Sequence, residues 1–402
     1  MSFDALRGFD MFWIIGGDVA IQSWLKYSHL SSAHAAADTS TWQMALYRQL
    51  EHCPWEGFRF YDLIFPLFLF VIGLVIPFSI FRMQNAGIRH SAIVFRILRR
   101  TLLLFILGLL YNDLLQFNFQ DFRYAGVLQR LAIGYGFAAL VALYLKPRAI
   151  AGLSGILLVG YYLILLIIPV PAGQAGDITR EGNLAGYVDR LVLQDWFGGK
   201  IYEEYYGFGD NEGLLSTIPS LVTALLGVLA GCWLKTGHAQ GRKFSGLVVA
   251  GLFMLAAGYV WSGGFSDIRN LHDRYGVFPV IKNLWTSSFV LWAGGWSLLL
   301  LALFYGLIDG LGFKAWAWVF VPIGANAITI YLISHFIDLQ PLSKQLFGGM
   351  ARIIADGVHS VSDVAVVAMN KELNLAIILT GIVILEWLIL WFLYSRKIFL
   401  RV

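Results

Sequence analysis

Charged residues are scarce in this sequence. Lys, Arg, Asp and Glu together make up 13% of its 402 residues, whereas about a quarter is usual in soluble proteins. This scarcity excludes a disordered chain and a nucleic-acid binder with a basic face. Cysteine is nearly absent as well, because the sequence holds only Cys53 and Cys232. A secreted domain stapled by disulfides is therefore excluded too.

Hydrophobic residues take the place of the missing charges and account for 58% of the sequence. A transmembrane helix needs about 20 mostly apolar residues, and ten such stretches alternate with polar connections. The sequence therefore predicts an all-α, polytopic membrane helix bundle of about ten transmembrane helices. We place these helices at residues 6–25, 60–81, 98–114, 125–145, 149–170, 214–234, 244–262, 283–306, 316–335 and 375–395.

Basic residues mark one side of the predicted membrane. Lys and Arg are retained in cytoplasmic loops, and here they crowd into alternate short connections. These connections comprise residues 82–100, 146–148, 235–243, 314 and 396–401. Both termini are therefore predicted to be cytoplasmic. The first apolar stretch contains Arg7, Asp10 and Asp18 and has no small-residue cleavage site, so we expect a retained span rather than a signal peptide.

The chain is predicted to form a single transmembrane domain over residues 1–402. Three long connections, at 26–59, 171–213 and 336–374, lie on the predicted outer side. Loops of this length in a compact fold are usually functional or disordered, and the first two are rich in aromatic residues. We expect them to be ordered caps over a cavity that faces outward.

Charged residues inside the predicted spans are the best guide to function, because they are costly in a bilayer and line a bundle interior or a wet cavity. Arg7 and Asp18 are eleven positions apart, within about 20° of the same helical face, and Asp10 lies about 60° to one side. They form either one functional seam or, for Arg7 and Asp10, a buried ion pair that fixes helix packing. Arg130 lies too deep in the fourth span for an anchor. It is expected to neutralise an acid or to face the cavity.

Two further groups allow both a functional and a plain interpretation. His52 precedes the second span and Asp62 follows ten residues later, which suits either a general base with an orienting carboxylate or a solvated histidine at the rim. Arg99 and Arg100 stand at the cytoplasmic mouth of the third span. They are either the positive-inside signal or a rim that binds the phosphates of an anionic cytosolic cofactor.

The loop at 171–213 is acidic. Glu203, Glu204, Asp210 and Glu212 are among its acidic residues. A solvated acidic loop is the simplest interpretation, but such a charge also favours a cationic or amine-bearing ligand from outside.

Several sequence blocks, in order along the chain, resemble one protein family. They are Ser2–Met11 with the pattern S-x-D-x-x-R-G, His52–Pro66, Gly126–Arg130, Ala185–Arg190 with Glu212–Ile218, and Pro279–Trp285. Together they are similar to the membrane heparan-α-glucosaminide N-acetyltransferase family and its bacterial glucosamine-acetylating relatives, within the transmembrane acyltransferase superfamily.

The resemblance implies a catalytic histidine on the non-cytoplasmic side, and His52 occupies its position. Asp62 is expected to orient the imidazole. Asp18 stands where the lysosomal enzyme has an asparagine, and an ionised Asp cannot donate a hydrogen bond to an oxyanion, so its catalytic role is open.

The same resemblance implies acetyl-CoA as the acetyl donor, and we expect no metal. The guanidinium groups expected to bind acetyl-CoA are those of Arg99, Arg100 and Arg7. The residues expected to bind the acceptor are Arg130, Glu212, Lys282, Asn283 and Trp55.

The implied reaction moves the acetyl group of cytosolic acetyl-CoA to the amine of glucosamine or a glucosaminide on the non-cytoplasmic side. Direct transfer in a ternary complex and an acetyl-His52 intermediate are both open. The alternatives are a proton-coupled sugar transporter and an O-acetyltransferase of a surface glycan. The expected partners are acetyl-CoA, an amino-sugar acceptor and the lipid bilayer, without nucleic acid, and a homodimer is among the allowed assemblies. The bacterial relatives imply a multi-pass protein of the inner (cytoplasmic) membrane.

Overall fold

A computed structural model describes residues 1–31, 41–120, 122–171, 173–201, 208–358 and 364–399. The described residues form helices and turns, with two isolated β-bridges and no strand, in agreement with the all-α prediction. The helices are α1 Ser2–Phe12, α2 Asp18–Ser31, α3 Trp42–Gln49, α4 Ile64–Asn85, α5 His90–Tyr111, α6 Val127–Tyr144, α7 Pro147–Ile167, α8 Leu184–Asp189, α9 Leu214–Leu234, α10 Gln240–Trp261, α11 Ser287–Tyr305, α12 Phe320–Ala325, α13 Ala327–Phe336, α14 Gln340–Val358 and α15 Val364–Ser395.

Seven helical segments of the described chain are long and apolar enough to cross a membrane. They are Phe60–Asn85, Val127–Tyr144, Pro147–Ile167, Leu214–Leu234, Gln240–Trp261, Ser287–Gly310 and Met369–Ser395. Each coincides with a span predicted from the sequence, which is consistent with a polytopic helical membrane protein. The predicted spans at 6–25, 98–114 and 316–335, and the cytoplasmic termini, stay predictions. The last of these stretches is interrupted at Asn326, between α12 and α13.

One compact unit comprises Met1–His52, Arg59–Ile64 and Leu307–Arg401. In this unit α1 and α12 cross at two glycines. A Cβ atom on Gly8 would collide with the carbonyl oxygen of Phe320, and a Cβ atom on Gly324 would collide with that of Asp4. The close approach of the two backbones therefore depends on small residues at the crossing.

A π-helical turn, Trp13–Gly17, joins α1 to α2 in the same unit. Gly16 has a φ of 107° and a ψ of 5°, a conformation that glycine adopts at little cost and other residues do not. The turn interrupts the α-helical register directly before Asp18, the first residue of α2. Such π-helical turns are frequent at functional sites.

The other compact unit comprises Cys53–Phe58 and Phe65–Gly306. A buried cluster that includes Tyr161 and Phe278 lies in its core, and the Tyr161 hydroxyl donates to the carbonyl oxygen of Leu284 at 2.6 Å. The next residue, Trp285, is fully buried and has a φ of 51°. Its indole N–H donates to Oγ1 of Thr223 at 3.2 Å, which fixes the turn before α11.

Candidate functional site

The first unit brings His52 and Asp62 together, as one of the two interpretations of the sequence expected. Nδ1 of His52 lies 2.9 Å from Oδ1 of Asp62. The Asp62 side chain is fully buried, whereas that of His52 is 44% exposed. A carboxylate at Nδ1 favours the tautomer with its proton there, which leaves the lone pair on Nε2. The dyad therefore combines a fixed acid with an accessible base.

A short 3₁₀ turn positions Asp62. The turn spans Phe60–Leu63, and Oδ2 of Asp62 accepts the backbone N–H of Arg59 at 3.0 Å. The Arg59 guanidinium in turn donates to the carbonyl oxygen of His52 at 3.0 Å. Phe60 packs edge-on against Trp13, with 5.0 Å between ring centroids, which holds the turn against the π-helical segment.

Tyr61 connects the dyad to Asp18. Its ring lies 4.7 Å from the His52 ring, at a tilt of 41°, and its hydroxyl donates a hydrogen bond to the Asp18 carboxylate. Asp18 is buried and interacts electrostatically with His52. Sequence reasoning named His52, Asp62 and Asp18 but missed Tyr61. Its position directly before Asp62 in the chain was the available signal.

Arg7 and Asp10 do not form the buried ion pair that was one interpretation of the sequence. Arg7 donates from Nη1 to the carbonyl oxygen of Gly324 at 3.3 Å. Asp10 is fully buried, and its carboxylate oxygens have no hydrogen-bond partner in the described part of the chain. That interpretation was wrong because Arg7 is directed to the α1–α12 crossing.

Arg99 and Arg100 lie on α5 in the second unit. Arg99 is exposed, while the guanidinium of Arg100 lies 4.5 Å from the ring centroid of Tyr135. A guanidinium on an aromatic face keeps its charge and some of its donors. A role for these two arginines in binding phosphate stays a prediction.

Trp55 borders a cavity of about 640 Å³ in the second unit. Its indole N–H donates to the carbonyl oxygen of Ile178 at 3.1 Å, and the Arg180 guanidinium lies 5.5 Å from its ring centroid. Charged side chains border the same cavity, namely Glu56, Arg180, Glu181, Asp267 and Arg269. Burial, followed by the charge of Asp267, raises the pKa of Glu56 to about 7.

Arg130 and Glu212 border a second cavity of this unit, of about 240 Å³. Nη2 of Arg130 donates to the carbonyl oxygen of Gly213 at 3.0 Å and to Oγ of Ser216 at 2.5 Å. The guanidinium also lies 5.0 Å from the ring centroid of Trp285. Arg130 is 1% exposed. It borders the cavity and lies near Glu212, Asp210 and Asp189, while a role in binding the acceptor stays a prediction.

Arg123, which sequence reasoning missed, neutralises the acids next to this cavity. It forms two hydrogen bonds with Asp210, at 2.9 and 2.6 Å, and one with Glu212 at 2.5 Å. Asp189 accepts the backbone N–H groups of Asp210 and Leu214, and burial raises its pKa to about 7. The sequence feature that could have pointed to Arg123 was its place just before the block at Gly126–Arg130.

The remaining predicted residues fall outside these features. Lys282 and Asn283 are half-buried in the turn that precedes Trp285, and they border neither of the two cavities. Glu203 and Glu204, from the acidic loop, lie outside the described residues.

Comparison with known proteins gives two relatives. No model of a known protein family matches the chain. The protein named heparan-α-glucosaminide N-acetyltransferase of Homo sapiens is 28% identical over 334 residues, which cover 71% of this chain and 48% of the human protein. The protein of the same name of Mus musculus is 28% identical over 330 residues, covering 71% and 49%. The chain thus spans about half the length of the curated relatives it matches. Together with the sequence blocks, these two matches support membership of the chain in the heparan-α-glucosaminide N-acetyltransferase family.

Proposed function

We propose that this chain is a membrane acetyltransferase that moves the acetyl group of acetyl-CoA to the amine of glucosamine or a glucosaminide. The observation that carries the proposal is the pair formed by His52 and Asp62, 2.9 Å apart, with the acid buried and the base accessible. The names of the two relatives support the same reaction class.

The chemistry follows from the tautomer of His52. The neutral acceptor amine attacks the thioester carbonyl while Nε2 of His52 takes the amine proton, and Asp62 stabilises the imidazolium that forms. Collapse of the tetrahedral adduct breaks the C–S bond, and His52 returns the proton to the departing CoA sulfur. If His52 is acetylated first, Nε2 attacks the thioester carbonyl, the C–S bond breaks and CoA leaves as the thiolate, while the same carboxylate stabilises the acetyl-imidazolium. The amine then attacks this acetyl group, the bond to Nε2 breaks, and the amine proton passes through Nε2 to the CoA thiolate. In both routes Tyr61 and Asp18 hold the imidazole in place.

The cavity beside Trp55 is our candidate for the acceptor. Its volume lies in the usual range for small-molecule sites. Glu56, Glu181 and Asp267 attract the ammonium form of an amino sugar, and Trp55 follows His52 by three residues in the chain. Lys282 and Asn283, and the pair Arg130 and Glu212, stay candidates for the acceptor from the sequence alone.

We further propose that the donor arrives from the cytosol and the acceptor from the other side of a bacterial inner membrane. The candidates for binding the phosphates of acetyl-CoA are then Arg99, Arg100 and Arg7, because one guanidinium group can donate two parallel hydrogen bonds to phosphate oxygens. Sealed proteoliposomes test the sidedness. With acetyl-CoA on one side only, product should form only when glucosamine is on the opposite side.

The experiment that tests the reaction compares His52→Ala with the wild type. Purified protein is given acetyl-CoA with a deuterated acetyl group, and the product is identified by mass spectrometry. We expect His52→Ala to lose transfer to glucosamine by at least about 10²-fold, the usual contribution of a general base. An amide product supports N-acetylation, whereas an ester would assign O-acetylation.

A matched control uses another histidine. His238 is exposed, and His238→Ala should retain wild-type turnover. Thermal unfolding and size-exclusion profiles show whether His52→Ala remains folded. Wild-type turnover by folded His52→Ala would refute the assignment, and so would uptake of glucosamine without acetyl-CoA in place of acetylation.

A further inference from the structure

The cavity beside Arg130 contains buried hydrogen-bond donors that take no part in the proton transfer proposed for His52. Nε and Nη1 of Arg130 and Nε2 of Gln129 have no hydrogen-bond partner among the residues that the structure describes. Arg130 is 1% exposed and Gln129 is 3% exposed, and both border the cavity. Buried donors without acceptors are unfavourable. The cavity is therefore suited to a ligand that carries oxygen acceptors.

The walls of this cavity are apolar. Phe105 and Leu193 contribute to them, and so do three side chains that are themselves exposed, namely Ile133, Phe197 and Leu214. Ile133 and Leu214 belong to helices that are apolar enough to cross a membrane. Exposed apolar side chains on such helices meet lipid chains. A saccharide, which needs a polar partner for most of its hydroxyls, finds few partners here.

Charges of both signs lie at and next to the cavity. Arg130 and Glu212 border it, and Glu212 also pairs with Arg123, which binds Asp210 as well. A headgroup with both charges matches this arrangement, because its phosphate meets Arg130 and Gln129 while its ammonium meets Glu212.

We propose that this cavity binds a zwitterionic phospholipid with a primary ammonium headgroup. The volume of about 240 Å³ equals about eight water molecules at ~30 Å³ each, which is enough for a headgroup but not for a whole lipid. The acyl chains leave past Ile133, Phe197 and Leu214 into the bilayer. The site is independent of the transfer chemistry at His52.

Lipid binding to the delipidated, purified full chain tests the proposal by native mass spectrometry. The probes are dioleoyl phosphatidylethanolamine, phosphatidylcholine and phosphatidylglycerol, which share their chains and differ in the headgroup. We expect phosphatidylethanolamine to bind about tenfold more tightly than the other two, a difference that corresponds to one good charge-assisted contact. Ile133→Trp, which fills the cavity from an exposed position, should lose that preference. Ile156→Trp, at an exposed position on α7, should keep it.

A second variant separates the headgroup contact from the steric effect. Glu212→Gln keeps a hydrogen-bonding side chain and removes the charge, so the preference for phosphatidylethanolamine over phosphatidylcholine should vanish while both still bind. Equal binding of all three lipids to the wild type would overturn the proposal. Unchanged lipid binding by Ile133→Trp together with weaker binding of glucosamine would overturn it too, and would assign the cavity to the acceptor.

Discussion

Asp62 holds His52 through one carboxylate oxygen and the backbone N–H of Arg59 through the other, at 2.9 and 3.0 Å. Both oxygens are therefore engaged by fixed partners. Rotation of the carboxylate would break the cap of the 3₁₀ turn as well as the contact with the imidazole. The backbone turn at Phe60–Leu63 thus determines which nitrogen of His52 carries the proton.

Asp62→Asn should therefore disable the base and leave the fold intact. If the amide oxygen keeps the Arg59 N–H, the amide nitrogen faces Nδ1 of His52 and donates to it. Nδ1 must then be unprotonated, the proton moves to Nε2, and the base is lost. We expect acetyl transfer to fall by about 10²- to 10⁴-fold, measured as initial rates with acetyl-CoA and glucosamine.

The exposed residue Asp273 supplies the control, since Asp273→Asn removes a charge far along the chain from the dyad. Its rate should equal that of the wild type. A thermal midpoint of Asp62→Asn close to that of the wild type, together with a wild-type rate, would show that Asp62 does not direct the imidazole.

The sequence predicted the parts of this site that depend on local order along the chain. Asp18 was identified because a charged residue is unfavourable inside a membrane span, and the spacing of His52 and Asp62 suggested a dyad. It could not predict the Tyr61 contact, because Asp18 directly follows a π-helical turn that contains Gly16 and changes the register of the helix before it. A single glycine inside an apolar stretch does not reveal such a turn.

The α1–α12 crossing gives a prediction about stability. In Gly8→Ala the new methyl group would collide with the carbonyl oxygen of Phe320, so one of the two backbones must move. Overpacking of this kind costs about 1–3 kcal/mol. We expect a lower midpoint of thermal unfolding, measured by intrinsic fluorescence in detergent. Activity should fall with it, because α1 leads directly into the turn before Asp18.

Gly348 on α14 is the matched control, since a Cβ atom there meets nothing within 4 Å. Gly348→Ala should be neutral or stabilising by up to about 1 kcal/mol, as alanine is the better helix former. Equal midpoints for the two variants would mean that the crossing tolerates a wider separation.

Ionic contacts between residues far apart in the chain were the other feature that the sequence could not predict. The acids at Asp210 and Glu212 suggested a cationic ligand, but 87 and 89 positions separate them from Arg123, the side chain that binds both. Sequence patterns report periodicity and local spacing, whereas a pair at this distance depends on how the loops fold back. Arg123 thus neutralises part of the negative charge of that loop.

Arg123→Gln should destabilise the second unit. The change leaves the fully buried Asp210 side chain and the largely buried Glu212 side chain without their cation. Removing one partner of a buried pair costs about 3–5 kcal/mol. The thermal midpoint should fall at low and high salt alike, because buried pairs are poorly screened. The exposed residue Arg242 provides the comparison, and a midpoint of Arg123→Gln equal to that of Arg242→Gln would contradict this account.

The pH dependence of stability follows from Glu56, whose pKa is raised from 4.5 to about 7 in the folded protein. Between these values the folded chain keeps a proton that the unfolded chain has lost. Stability therefore falls as the pH rises from about 4.5 to about 7 and stays lower above that range. Glu56→Gln cannot ionise, so its thermal midpoint should fall less than that of the wild type between pH 5 and pH 8. Asp189, with a pKa also near 7, retains its own share of the decline.

Glu181→Gln removes a carboxylate from the same cavity and controls for the loss of charge itself. Its midpoints should run parallel to those of the wild type over the whole range. The same variants extend the test to ligand binding, because a protonated Glu56 attracts an ammonium group less than the carboxylate does. Glucosamine should thus bind the wild type more tightly at pH 8 than at pH 6, after correction for the protonation of the amine itself. Parallel midpoint profiles for Glu56→Gln and the wild type would show that Glu56 ionises alike in the folded and unfolded chains.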